Sequence, residues 1–137
     1  MFESTPQING TWGHPNRKLM LSQLIAGNED FVLITNDDNQ YLPVFVDYFL
    51  KKCSINVGFV YCDTIHSYMG YNILKTQVKE NQIDMGSFIV RVDIAKKTGF
   101  NHLHISADGK YAEECANECN RQRLSIEYIP KCIFVHN

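Results

Sequence analysis

The sequence predicts an α+β or α/β fold: a single domain whose mixed β-sheet opens with a hairpin and carries two or three packed helices. Three observations predict it. Short runs rich in β-branched and aromatic residues recur along the chain, which is the composition of strands. Segments with apolar residues at helical spacing stand between those runs. The 137 residues suit one domain with its own core, and a 45% hydrophobic, 20% charged composition is that of a folded chain.

The elements follow in order. Residues 1–16 are punctuated by Pro6, Gly10, Gly13 and Pro15 and read as an extended segment, with Phe2, Ile8 and Trp12 available to pin it. A helix is expected over 17–26, where Leu21, Leu24 and Ile25 share a face, Asn16 is the N-cap and Gly27 lies past the end. Residues 31–35 read as a strand, 36–40 as a turn and 41–46 as a second strand, so the pair forms a hairpin. Pro43 has no N–H to donate, which pushes that second strand to an edge or leaves it with a break. Asp47 then caps a short helix over 48–53.

A strand over 57–62 comes next, with Asp63 or Thr64 capping a helix that runs to about residue 81. In that helix Ile65, Tyr68, Met69, Leu74 and Val78 fall near one face, and Gly70 weakens it by about 1 kcal/mol. Residues 87–93 are the clearest strand, and 93–98 make one or two helical turns that Gly99 stops. A short strand over 101–105 and a turn over 107–109 lead to a helix over 110–123. Its stripe is Tyr111, Ala112, Cys115, Ala116 and Cys119. Two strands, 124–129 and 131–136, close the chain around Pro130. There is no internal repeat and no low-complexity segment.

A net charge of −2 argues against nucleic acid as the main partner, because backbone binding needs a basic excess. The basic pairs Arg17-Lys18, Lys51-Lys52 and Lys96-Lys97 never extend to a run. The first residues lack a signal-peptide pattern, and no apolar stretch approaches the roughly 18 residues of a membrane helix. Five cysteines, an odd number, suit reduced thiols. A cytoplasmic location without membrane contact is therefore expected, and Asn9-Gly10-Thr11 is not read as a used glycosylation sequon.

Several groups carry chemistry. Cys115 and Cys119 lie one helical turn apart, a metal-ligand spacing that Cys132 and the histidines could complete, yet they share their stripe with Tyr111, Ala112 and Ala116 and read as core. His102 and His104 alternate on the expected strand and face one side together, suited to a polar face. Cys62, between a strand end and an expected helix start, is the nucleophile candidate, with Asp63 and His66 following. Phosphate-binding glycine motifs and the G-x-S-x-G elbow are absent from the sequence. The turn Ala107-Asp108-Gly109-Lys110 offers amides to an anion as readily as it makes a tight connection. No motif calls for a cofactor or a metal.

The stretch Asp30-Phe-Val-Leu-Ile-Thr35, followed by Asn39-Gln-Tyr-Leu-Pro-Val-Phe-Val-Asp47, resembles the opening of the SseB-type (enhanced serine sensitivity) N-terminal domain family. The resemblance spans about 35 residues, rests on Leu42-Pro43-Val44-Phe45, and includes the leading helix. Where that family shows a later Asn-Pro turn, this chain has Ile105-Ser-Ala-Asp-Gly109. The resemblance implies a small α/β module without catalytic residues, in secretion- or toxin-associated settings, and it assigns no site.

The function expected first is a non-enzymatic protein-binding module such as an immunity protein, inhibitor or adaptor. Glu29, Asp30, Asp37 and Asp38 beside Tyr41 would form an acidic surface for a basic partner. One alternative is a cysteine-dependent hydrolase or transferase, with Cys62 as nucleophile and His66, His102 or His104 as base. Another is small-ligand binding in a cleft lined by Tyr61, Tyr68 and Tyr71.

Overall fold

The computed structural model describes residues 12–137. In chain order its elements are α1 (His14–Gln23), β1 (Phe31–Leu33), β2 (Gln40–Tyr41), α2 (Phe45–Leu50), β3 (Val57–His66), a 3₁₀ turn (Ser67–Met69), β4 (Asn72–Leu74), β5 (Phe88–Arg91), α3 (Val92–Thr98), α4 (Ala107–Arg121) and β6 (Ser125–His136).

β3 organises the sheet because both of its edges are paired. Along one edge β6 runs parallel for the full length, from Val57 opposite Ser125 to His66 opposite His136. On the other edge β5 pairs antiparallel with Phe59–Tyr61, and β4 pairs antiparallel with Thr64–His66. The main order is β1-β5-β3-β6-β2. Alternation along the strands feeds two cores. Phe59, Phe88 and Val90 pack with Tyr111, Cys115 and Cys119 of α4 and with Ile94 of α3. Val60, Cys62, Ile89 and Phe134 pack on the opposite face with Phe45 and Phe49 of α2. A sheet covered on both faces explains why β3 reads as a continuous apolar run.

The mixed sheet with packed helices is as the alternation predicts, with four α-helices among the described residues. The opening hairpin is not formed. β1 pairs with β5 at one edge and β2 with β6 at the other, so the residues between them cross the sheet instead of turning tightly. Pro43 does sit beside an edge strand, but the run after it is helix from Phe45. The extended segment expected over 1–16 lies outside the described residues as far as 11. From His14 it is helix, because Gly13 takes a left-handed φ of 75° as N-cap and Pro15 suits the first turn.

The long helix expected after Asp63 is absent. The strand continues to His66 and returns as β4, with Thr64 opposite Leu74. Ile65, Tyr71 and Ile73 favour strands, and Gly70 and Tyr71 both take positive φ, which makes the turn. The strand expected over 101–105 is a loop with Leu103 and Ile105 exposed. The two closing strands are one, β6, bulged where Ile129 and Cys132 oppose the adjacent Cys62 and Asp63. Among the described residues no helix is long and apolar enough to cross a membrane.

Candidate functional site

A cleft of about 680 Å³ opens where β3 and β6 end. Five segments supply its polar wall: the start of α1 (His14, Arg17), the loop after β1 (Asn36, Asp37, Asp38), the strand ends (His66, His136), the loop before β5 (Asp84) and the start of α4 (Ser106, Asp108). Each is fixed by local structure. Parallel register sets His66 beside His136. The Asp84 loop is tied to α4 by Met85 N–H donating to Asp108 Oδ2 (3.1 Å) and by Ser106 Oγ donating to Glu80 Oε1 (2.6 Å). Gly109 permits that contact, since a Cβ there would meet Glu80 Cα at 2.9 Å. Gly86, at φ 98°, turns the chain from Asp84 into β5 against Tyr41 and Phe134.

At the sheet end the His66 and His136 rings stack, with centroids 4.4 Å apart and planes inclined by 14°. His66 Nε2 lies 2.8 Å from Asp84 Oδ2. Tyr68 N–H donates to His66 Nδ1 at 3.2 Å, and Ser67 Oγ lies 3.4 Å from His136 Nδ1. Burial raises the Asp84 carboxyl above the ordinary range, while His66 and His136 oppose that shift. One donor atom from each of His66, Asp84 and His136 falls within 4.8 Å of the others.

The α1 side is built differently. His14 is buried, and its Nε2 donates to the His104 carbonyl at 3.0 Å, which leaves Nδ1 to accept from Arg17 Nη1 at 2.7 Å. Arg17 Nη2 donates to Asn36 Oδ1. Burial lowers the pKa of both His14 and Arg17, and for His14 the neighbouring Arg17 charge lowers it further. Among the described residues no carboxylate lies within ion-pair distance of Arg17. The nearby Asp108 is committed to the Met85 and Gly109 amides.

The residues singled out by sequence fall in several places. Cys62 is wholly buried in mid-strand, with no helix start beside it, and burial pushes its thiol far above the ordinary range. The helix start expected to activate it is replaced by the continuing strand β3, which removes that support for a Cys62 nucleophile. His66 lines the cleft. His102 and His104 stack on one another at 5.6 Å in the loop, with His102 Nε2 2.8 Å from Glu114 and His104 Nε2 3.8 Å from Glu80. Asp37 and Asp38 line the cleft, whereas Glu29 and Asp30 line a separate groove, so the acidic surface is divided. Tyr41 packs on Phe45 and Phe134 with its hydroxyl donated to Thr35. Of the three tyrosines, only Tyr68 lines the cleft. Cys115 and Cys119 are core, as their stripe predicts.

Sequence reasoning missed His14, Arg17, Asp84 and His136. Only Gly13-His-Pro15 left a trace, as a helix start mistaken for a loop. Compared with known proteins, the chain matches no family model and no curated protein.

Proposed function

We propose that the chain binds a small anionic molecule in this cleft, with Arg17 as the charge that anchors it. The observation that carries this reading is a half-buried guanidinium lining the cleft, whose hydrogen-bond partners among the described residues are the neutral His14 Nδ1 and Asn36 Oδ1. A planar guanidinium fixed in this way presents its remaining donors to a carboxylate or phosphate. Asp37 and Asp38 on the exposed rim suit hydroxyl or amino groups on the rest of the ligand. Calorimetric titration with a panel of organic phosphates and carboxylates tests the reading. At least one class binds, and Arg17→Met weakens it by about 10- to 100-fold, the cost of a charge-assisted hydrogen bond. Arg17→Lys keeps part of the affinity. If no member of the panel binds, or if Arg17→Met binds as well as the wild type, the proposal fails.

The protein-binding reading is supported by a different feature. The outer face of α2 exposes Val46 and Leu50 one turn apart, and with Ile55 they line an apolar groove that Glu29 and Asp30 edge with negative charge. That combination suits a basic amphipathic segment of another protein. A partner captured stoichiometrically at low salt should be lost as salt rises. It should also be lost on Val46→Asp and retained on Arg17→Met. Retention on Val46→Asp would exclude the groove.

A further inference from the structure

We propose that His66, Asp84 and His136 form a binding site for a divalent first-row transition ion, zinc or a near equivalent. The proposal rests on residues other than Arg17 and stands independently of the anion reading.

Four observations carry it. Two imidazoles and one carboxylate present donor atoms within 4.8 Å of one another, which small side-chain rotations bring to the spacing of about 3.4 Å between tetrahedral zinc ligands. Asp84 Oδ2 is fully buried and receives no hydrogen bond of acceptable geometry, although His66 Nε2 stands 2.8 Å away. A nitrogen and an oxygen this close without an aligned proton between them are arranged as neighbouring ligands of a shared ion are. The donors are then brought together by backbone register and not by mutual attraction alone, because His66 and His136 are partners in the parallel ladder. Finally, the group opens onto the cleft, where Asp37, Asp38 and Asp108 add negative charge.

The donor set decides which cation. Two nitrogens and a single carboxylate suit zinc and its neighbours, and are a poor match for magnesium or calcium, which prefer all-oxygen shells. Three protein donors also leave a coordination position open for water or a ligand, the arrangement of a reactive site.

Loading has a local consequence. Nδ1 of His66 accepts the Tyr68 N–H, which puts the ring proton on Nε2. An ion on Nε2 requires that proton to move to Nδ1, which then faces the Tyr68 N–H. The contact must open, and it is the side-chain cap of the 3₁₀ turn Ser67–Met69. Metal binding therefore shifts this turn, whose Tyr68 and Met69 line the cleft.

Isothermal titration with Zn²⁺ alone tests the site, followed by the Tyr68 amide resonance. The expected result is one ion per chain, with affinity lowered more than about tenfold in His136→Asn and in Asp84→Asn. Affinity should be unchanged in His102→Asn, which alters the other stacked histidine pair. The Tyr68 amide should shift on loading of the wild type and not in His136→Asn. Thermal melts of each variant establish that it is folded. Absence of a stoichiometric site in the wild type overturns the proposal, as does loss of binding in His102→Asn with retention in His136→Asn.

Discussion

The Asp63 carboxylate is almost wholly inaccessible, at 1% exposure, where β3 bends beside the β6 bulge. It is satisfied by the Tyr128 hydroxyl at 2.8 Å to both oxygens, by Thr76 N–H at 3.0 Å and by Lys75 Nζ at 3.3 Å. Burial first, and then the bond to Asp63, push the Tyr128 hydroxyl up to about 12, so it stays a donor at any working pH. Removing the acceptor strands the buried Thr76 amide and the half-buried Tyr128 hydroxyl. Asp63→Ala should therefore destabilise the fold by about 3 kcal/mol in urea unfolding, and Asp63→Asn by less, because the amide oxygen still accepts from Thr76. Equal losses in the two variants would show that charge rather than hydrogen bonding matters there. Nothing local in the sequence announces this role. Asp63 follows a strand-like run and so resembles a helix cap, and the same misreading made Cys62 look activated. Cys115 and Cys119 were legible because a helical stripe shows its buried side without reference to the rest of the fold.

Elements defined by signals within a few residues were readable. β5 is a dense apolar run, α3 ends at Gly99 with φ 68°, and α4 carries a stripe that matches its buried residues. Elements defined by distant pairing were not. β1 and β2 are short, and their turn-rich connection serves a sheet crossing as well as a hairpin; only β5 and β6, far along the chain, decide between the two. The segment after Asp63 has apolar spacing compatible with a helix, but its β-branched and aromatic residues gain more by pairing beside β3. The candidate site inherits this limit. His66 and His136 are seventy positions apart and meet through parallel register alone. Asp84 reaches them because its loop is tied to α4, and Arg17 reaches the cleft because α1 starts three residues earlier than its apolar stripe suggests.

At the scale of the molecule, stability should fall in two separate pH windows. Asp93 and Glu118 have folded pKa values below their ordinary ones, Asp93 chiefly through its hydrogen bond from Arg91 and Glu118, at about 2, chiefly through Lys97. Their contributions are present above the unfolded carboxylate range and are lost as pH drops through the folded values, well into the acid. His14 acts earlier. Its folded pKa lies below the ordinary 6.5, through burial first and the Arg17 charge second, with the His104 carbonyl and Asp108 in partial opposition. Below 6.5 the unfolded chain therefore binds a proton that the folded chain resists, and stability declines as pH falls, by at most about 1.4 kcal/mol per pH unit. Protonation would also remove the Nδ1 acceptor that holds Arg17, so this first window reports on the α1 wall of the cleft. Urea melts between pH 8 and pH 5 should show a decline beginning near 6.5 in the wild type and a nearly flat profile in His14→Gln. A decline of the same size in His14→Gln would assign that window to another histidine and leave Arg17 anchored independently of pH.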